Sequence, residues 1–266
     1  MLTNFHTHSV FCDGKSTLEE VVLSAVKKGF STIGFSGHGY TDFDLSYCMK
    51  DLDGYIAEIN RLKEAYRGKI NICLGIEEDA FQPVDRSKFE YILGSSHYFR
   101  VDGKYYAIDS SHDCFKECLE LFRYDVCAMA ENYFTNFCEY IERRKPDIIG
   151  HFDLITKYDE LDTPRFFGNK EYERIAEQAI ARAAKSGCVF EVNTGAISRG
   201  MRTTPYPAVN LLQILKKSDA RLILSSDSHH ADTIDCHFEE TKQILRDVGF
   251  RELYTLSNGA FIKYEI

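Results

Sequence analysis

Two histidines one residue apart stand near the start of the 266-residue sequence, in Asn4-Phe-His-Thr-His8. In an extended segment residues two apart share a face. His6 and His8 can therefore grip one cation between them while Thr7 points into the packing around the strand. Asp13 follows directly before Gly14, where a turn brings its carboxylate back towards the imidazoles. Imidazole with carboxylate is the ligand chemistry of zinc, manganese and iron. Taken alone, an H-x-H pair is equally the mark of two solvated histidines. The rest of the chain argues for ligands: His38, Glu77, His97, His151, Asp227 and His229 stand at or just beyond the ends of apolar segments, and six of the nine histidines fall in the full set. Nine nitrogen and oxygen donors without a thiolate are more than one ion needs. They suit two or three divalent ions sharing carboxylates.

The segments that must position these residues follow a regular order. Ser16-Thr-Leu-Glu19 fits a capping box, and apolar residues at helical spacing run to Gly29. A buried strand over 31–36 leads into His38, and a helix announced by Asp51 runs to Gly68. Strands are expected over 70–76, before Glu77, and over 91–96, before His97; a hairpin turn follows at 101–104. Helices over 114–122 and 126–144 end at Pro146, and a short strand over 147–150 presents His151. The stretch 156–167 reads as irregular. A helix over 170–186 precedes a strand over 188–192, and a helix over 208–217, with Pro207 at its N1 position, precedes a strand over 221–224. A helix over 238–248 and a last segment at 253–256 complete the pattern. Seven or eight such strand-then-helix units predict a parallel sheet covered on both faces. Polar residues after nearly every strand favour a closed or nearly closed barrel, which gathers its site at the strand C-termini, over an open sheet. One domain, 1–266, accounts for the whole pattern.

A net charge of −9 and the absence of any long run of Lys and Arg argue against a sequence-independent grip on nucleic acid. No apolar run approaches the roughly 20 residues of a membrane span, and no N-terminal signal pattern is evident, so a cytoplasmic location is expected. Nine scattered cysteines without a C-x-x-C pair read as free thiols, and Cys114 and Cys118, one turn apart, as helix packing.

Taken together, His6-Thr-His8, Gly37-His38, Gly75-Ile-Glu77, Ser96-His97, His151-Phe-Asp153 and Ser226-Asp-Ser-His229 resemble the polymerase and histidinol phosphatase (PHP) superfamily along the whole chain. The resemblance implies a distorted (β/α)7 TIM-like barrel and a trinuclear centre. His6 and His8 would bind a first metal with Asp227, Glu77 would bridge it to a second held by His97 and His151, and Asp13, His38 and His229 would hold a third. Many members carry an acidic residue directly before the third histidine, where this chain has Gly37, and here Cys12 precedes the aspartate.

Within the superfamily, the stand-alone length, the long segment after His97, Glu191-Val-Asn193-Thr194 and the stretch from His151 to Tyr158 resemble histidinol-phosphate phosphatase, an enzyme of histidine biosynthesis. The implied reaction is hydrolysis of a small phosphate monoester. A water shared by two divalent ions is activated as nucleophile, and the ions neutralise phosphate oxygens. Glu77, Asp227 and His229 would be the catalytic residues, and Asp227 or His230 would protonate the leaving alkoxide. Lys157 and Arg199 would meet the phosphate, and Asn193 belongs to the substrate side. Some relatives carry arginine directly after the Asn-Thr pair; here that position is Gly195, so Arg199 or Arg202 would substitute. Asp42, Asp44 or Asp109 could accept from the substrate's imidazole and amine, and His112 and His237 read as surface residues. The alternatives are a PHP phosphoesterase for a nucleotide or sugar phosphate, and a non-catalytic PHP module, which all nine ligands argue against. The oligomeric state is left open by the sequence.

Overall fold

The computed structural model describes residues 1–161 and 164–266. In chain order its elements are β1 (Thr3–Asn4), α1 (Leu18–Lys27), β2 (Thr32–Phe35), α2 (Leu52–Ala65), β3 (Asn71–Asp79) and β4 (Tyr91–Ser95). A hairpin of β5 (Tyr98–Val101) and β6 (Lys104–Ala107) comes next, followed by α3 (His112–Leu121), α4 (Val126–Arg144), β7 (Ile148–Ile149) and α5 (Lys170–Ala184). The remainder is β8 (Val189–Asn193), α6 (Gly195–Ser198), α7 (Val209–Lys217), β9 (Leu222–Ser225), α8 (Phe238–Val248), β10 (Glu252–Ser257) and β11 (Ala260–Glu265).

Seven strands, in the order β1-β2-β3-β4-β7-β8-β9, pair in parallel throughout. The two outer strands then meet: Thr7 bridges Ser228, His8 N–H donates to Ser228 O at 2.8 Å and Ser228 N–H to His6 O at 3.2 Å. Asn4, fully buried, locks this seam by donating to Ser226 Oγ at 2.6 Å and Ile234 O at 2.9 Å. The result is a nearly closed seven-stranded (β/α) barrel, the closed or nearly closed form that the spacing predicts and the distorted seven-stranded one that the resemblance implies.

Strand periodicity sorts each strand's residues between two cores. Ile72, Leu74 and Ile76 of β3 face the helices, while Cys73 joins Phe5, Tyr91, Leu93, Ile148, Val189 and Ile223 in a separate buried cluster. Tyr91 fills the middle of that cluster and donates its hydroxyl to Phe5 O at 2.8 Å. Its ring fits because two strands carry glycine beside it. A Cβ on Gly75 would lie 2.2 Å from Tyr91 Cζ, and one on Gly34 2.6 Å from its hydroxyl oxygen.

Several boundaries differ from the sequence reading for local reasons. The capping box is Thr17 with Glu20, one residue later than expected, because Ser16 Oγ is occupied in accepting from Ala231 N–H at 3.0 Å. β3 runs on to Asp79, carrying three consecutive acids past the apolar run. Pro207 precedes the α7 N-cap Ala208 and follows a cis peptide bond from Tyr206, so it is not the N1 residue. The last segment is the antiparallel hairpin β10–β11 instead of another strand-then-helix unit. The hairpin turn at 101–104 is as expected, with positive φ at Asp102 and Gly103. The irregular stretch is braced by the Asp159 carboxylate, which accepts from Arg165 N–H at 2.6 Å and Phe167 N–H at 2.7 Å; its positions 162 and 163 lie outside the described residues. Among the described residues, no helix is long and apolar enough to cross a membrane.

Gly75→Ala should destabilise the barrel by about 3 kcal/mol or more, the upper range for overpacking against a ring that cannot move aside. Urea denaturation followed by circular dichroism checks this.

Candidate metal centre

All nine donor residues converge at the C-terminal ends of the strands, around the carboxylate of Glu77. This side chain continues the inner face of β3 above Cys73 and Gly75 and is 1% exposed. Its Oε2 lies 2.9 Å from His38 Nδ1, 3.3 Å from His6 Nε2 and 3.6 Å from His8 Nε2. Its Oε1 lies 3.1 Å from His151 Nε2 and 3.3 Å from His97 Nε2. Asp227 Oδ1 is 3.2 Å from His8 Nε2 and 3.6 Å from His6 Nε2, while Asp13 Oδ2 is 3.2 Å from His229 Nε2.

Among the described residues, four overlapping groups of donor atoms result: His8, Asp13, His38 and His229; His6, Glu77 and His151; His6, His8 and Asp227; and His38, Glu77 and His97. Each group holds its atoms within 4.8 Å of one another. With bonds of ~2.0–2.1 Å, ligand atoms around a tetrahedral zinc sit roughly 3.3 Å apart, which is the spacing found here. Moreover, His6 Nε2, His8 Nε2, Asp13 Oδ1 and Glu77 Oε2 are buried without a hydrogen-bond partner among the described residues. Stranded lone pairs aimed at common points are what a set of cations would satisfy, so the residues fit divalent metal ions.

Acids and imidazoles in the cluster shift one another. Burial would raise the Glu77 carboxyl, but the imidazoles of His6, His38 and His97 hold it well below the usual carboxylate range. Burial likewise opposes the charged form of His6, and the carboxylates of Glu191, Glu77 and Asp227 outweigh it, raising His6 well above its ordinary value. His8 goes the other way: burial, then the neighbouring His229 and His38, push it down to about 3. It is therefore neutral at physiological pH, the form that ligates.

A second layer aims these rings. Glu191, fully buried on β8, sits 2.7 Å from His6 Nδ1 and accepts from His151 N–H at 2.8 Å. Such a partner fixes the tautomer and leaves Nε2 for the metal. Asp79 does the same for His97, at 3.2 Å from Nδ1, and Cys12 Sγ is 3.5 Å from His8 Nδ1. Asp79 was missed in the sequence; the acidic Glu77-Glu78-Asp79 ending an apolar strand was its signal. Its neighbour Glu78 faces outward to Arg144 at 2.7 Å and Tyr140 at 2.8 Å.

The centre opens into a cavity of about 280 Å³ whose walls include Asp13, His38, His97, His151, Asp227 and His229. Lys157 and Arg199 line it as well. Lys157 Nζ is 3.1 Å from Asp109 Oδ2, and Arg199 holds Asp227 twice, at 2.9 Å from Oδ2 and 2.9 Å from its carbonyl. That grip fixes Asp227 in a left-handed conformation, φ 49°.

Other expected contacts lie elsewhere. Asn193 is wholly buried, its amide donating to Glu191 and accepting from Gly195 N–H, so it braces the second layer and does not face the cavity. Asp42 is exposed and off the cavity; Asp44 and Asp109 line it instead. Arg202 is buried against Asp153 and stacks on Tyr206 at 4.2 Å, which removes it as a phosphate contact. The His230 side chain is 56% exposed and outside the cavity, whereas Asp227 lines it. His112 and His237 lie apart from the cluster and are half-buried, His112 against Tyr158.

A family model described as PHP domain matches residues 4–195. The chain is 28% identical, over 96% of its length and 89% of the relative's, to a Schizosaccharomyces pombe protein named "Probable histidinol-phosphatase". It is 25% identical to the histidinol-phosphatase of Bacillus subtilis, over 88% of this chain and 96% of that one. Among solved structures, its fold is similar to that of a histidinol phosphate phosphatase from Lactococcus lactis complexed with Zn, L-histidinol and phosphate; the TM-score is 0.74 at 20% identity, covering 98% of both chains.

Glu191→Gln places an amide N–H or a weaker acceptor against His6 and His151. We expect metal affinity to fall about ten- to hundredfold, measured by competition with a chromophoric chelator, with the fold retained by circular dichroism.

Proposed function

The chain belongs to the PHP domain family, and on that premise we propose that it hydrolyses L-histidinol phosphate to L-histidinol and phosphate in histidine biosynthesis. The observation that carries this reading is the nine-donor cluster around buried Glu77, opening on a cavity that also presents Arg199 and Lys157. The names of the full-length relatives support the substrate.

His6, His8, Glu77 and Asp227 would hold one ion, Glu77, His97 and His151 a second, and Asp13, His38 and His229 a third, each zinc, manganese or iron. Divalent ions held there acidify a water and neutralise phosphate oxygens. Arg199, already turned towards the cluster by its contact with Asp227, offers its remaining N–H groups to the phosphate. Lys157 adds a second cation, tethered by Asp109 at the cavity wall. Asp227 faces the same space and takes the proton released by the attacking water, then returns it to the leaving alkoxide. Burial raises its carboxyl, but Arg199 and His6 outweigh that and keep it well below the usual range, so it starts ionised. Nine free cysteines fit a reducing compartment, and we place the enzyme in the cytoplasm.

A panel of phosphate monoesters assayed with metal-reconstituted protein tests the reading. Histidinol phosphate should lead sugar phosphates and nucleotides in kcat/KM by at least about a hundredfold, a discrimination of ~2.7 kcal/mol, and chelation should abolish turnover of all. A sugar phosphate or nucleotide at the head of the panel would reject the substrate. Lys157→Ala removes one charge-assisted contact worth roughly 1.5–3 kcal/mol. Its kcat/KM should fall about ten- to hundredfold with metal content unchanged by elemental analysis.

A further inference from the structure

Among the described residues, four carboxylates line the cavity: Asp13, Asp44, Asp109 and Asp227. Asp13 and Asp227 belong to the metal cluster, and Asp109 is paired with Lys157. Asp44 is the odd one, because every partner of its side chain among the described residues is neutral. Oδ1 accepts from Ser46 N–H at 2.9 Å and Ser46 Oγ at 2.6 Å, and Oδ2 accepts from Tyr98 Oη at 2.8 Å. These donors stabilise the anion and fix its direction without cancelling its charge.

The surroundings of Asp44 are aromatic. Tyr98 packs edge-on against Phe43 at 4.9 Å and lies 6.1 Å from Tyr47, and Phe43 stacks on Tyr105 at 3.9 Å. Tyr47 spans the gap to the metal cluster, with its ring 4.6 Å from that of His38. Its buried hydroxyl has no hydrogen-bond partner among the described residues. A fixed anion beside ring faces is the chemistry that takes an organic cation. The same cavity also presents Lys157 and Arg199, the donors that suit phosphate.

We propose that Asp44, held by Ser46 and Tyr98 and flanked by Tyr47, is the subsite for the substrate's cationic amine or imidazole and selects amine-bearing phosphate monoesters over others. This deepens the reading of the site as a histidinol-phosphate phosphatase and rests on it. Selection works in both directions: a cation gains a charged partner, while an anionic substituent meets a like charge. The sequence offered Asp42, Asp44 and Asp109 on equal terms; geometry separates them, since Asp42 is exposed and Asp109 is already paired.

The test is Asp44→Asn in the metal-loaded enzyme, which keeps the side chain's shape and removes its charge. The ratio of kcat/KM for histidinol phosphate to that for 4-nitrophenyl phosphate, which carries no cation, should fall about ten- to hundredfold. Tyr98→Phe, which deletes one neutral donor to Asp44, should lower the same ratio about two- to tenfold and serves if the asparagine variant fails to fold. A ratio unchanged in both variants overturns the subsite even if the wild-type enzyme hydrolyses histidinol phosphate well. If the wild type does not hydrolyse it, the proposed substrate fails, and titration calorimetry with L-histidinol alone then decides the subsite. Binding that weakens in Asp44→Asn upholds it, and absent or unaltered binding overturns it.

Discussion

A carboxylate taken out of water costs several kcal/mol unless its charge is answered nearby, and Glu77 is taken out completely. Five imidazole nitrogens ring it at 2.9–3.6 Å, and divalent ions held between them would answer its charge. They arrive from the ends of four strands, or the loops just beyond them: His6 and His8 after β1, His38 after β2, His97 after β4 and His151 after β7. One desolvated charge therefore dictates where four strand ends must sit. The parallel barrel can meet that demand because every strand delivers its last inward-facing residue to the same rim.

The second layer shows how the same rim is tuned. Glu191 and Asp79 spend their charge on ring nitrogens that point away from Glu77, so the inward nitrogens keep their lone pairs. Gly195 illustrates the coupling between neighbouring positions. A Cβ there would lie 2.8 Å from Arg199 Nη2 and 2.9 Å from Asp227 Oδ2. The absence of a side chain at this position is what lets an arginine four residues further along reach Asp227. An arginine at 195 and one at 199 would compete for one space, which gives the departure at Gly195 a steric reason.

Much of this was legible in the sequence because it follows from periodicity. Apolar runs mark the strands, and a donor after a run must emerge at the barrel rim, which places His38, Glu77, His97, His151 and Asp227 without any coordinates. What escaped depends on contacts across the fold. Whether Asn193 faces the cavity or Glu191 depends on which neighbour takes its amide. The roles of Asp42 and Asp44 turn on a loop conformation that local pattern does not encode, and Arg202 is claimed by Asp153 from beyond β7. The capping box moved by one residue because Ser16 has a partner 215 positions away.

The barrel closes where its first and last parallel strands touch, a seam held by the Thr7–Ser228 bridge and the side chain of Asn4. The contacts there join residues 222 positions apart, and the donors flanking the seam, His6, His8, Asp227 and His229, come from the two ends of the barrel. During synthesis the early histidines must therefore wait for nearly the whole chain to leave the ribosome before their partners exist. Long-range closure of this kind is entropically slow. Ions bound across the seam would act as a clasp on the edge that closes the barrel. The supply of metal would then set how long the folded ring lasts as well as how fast it works.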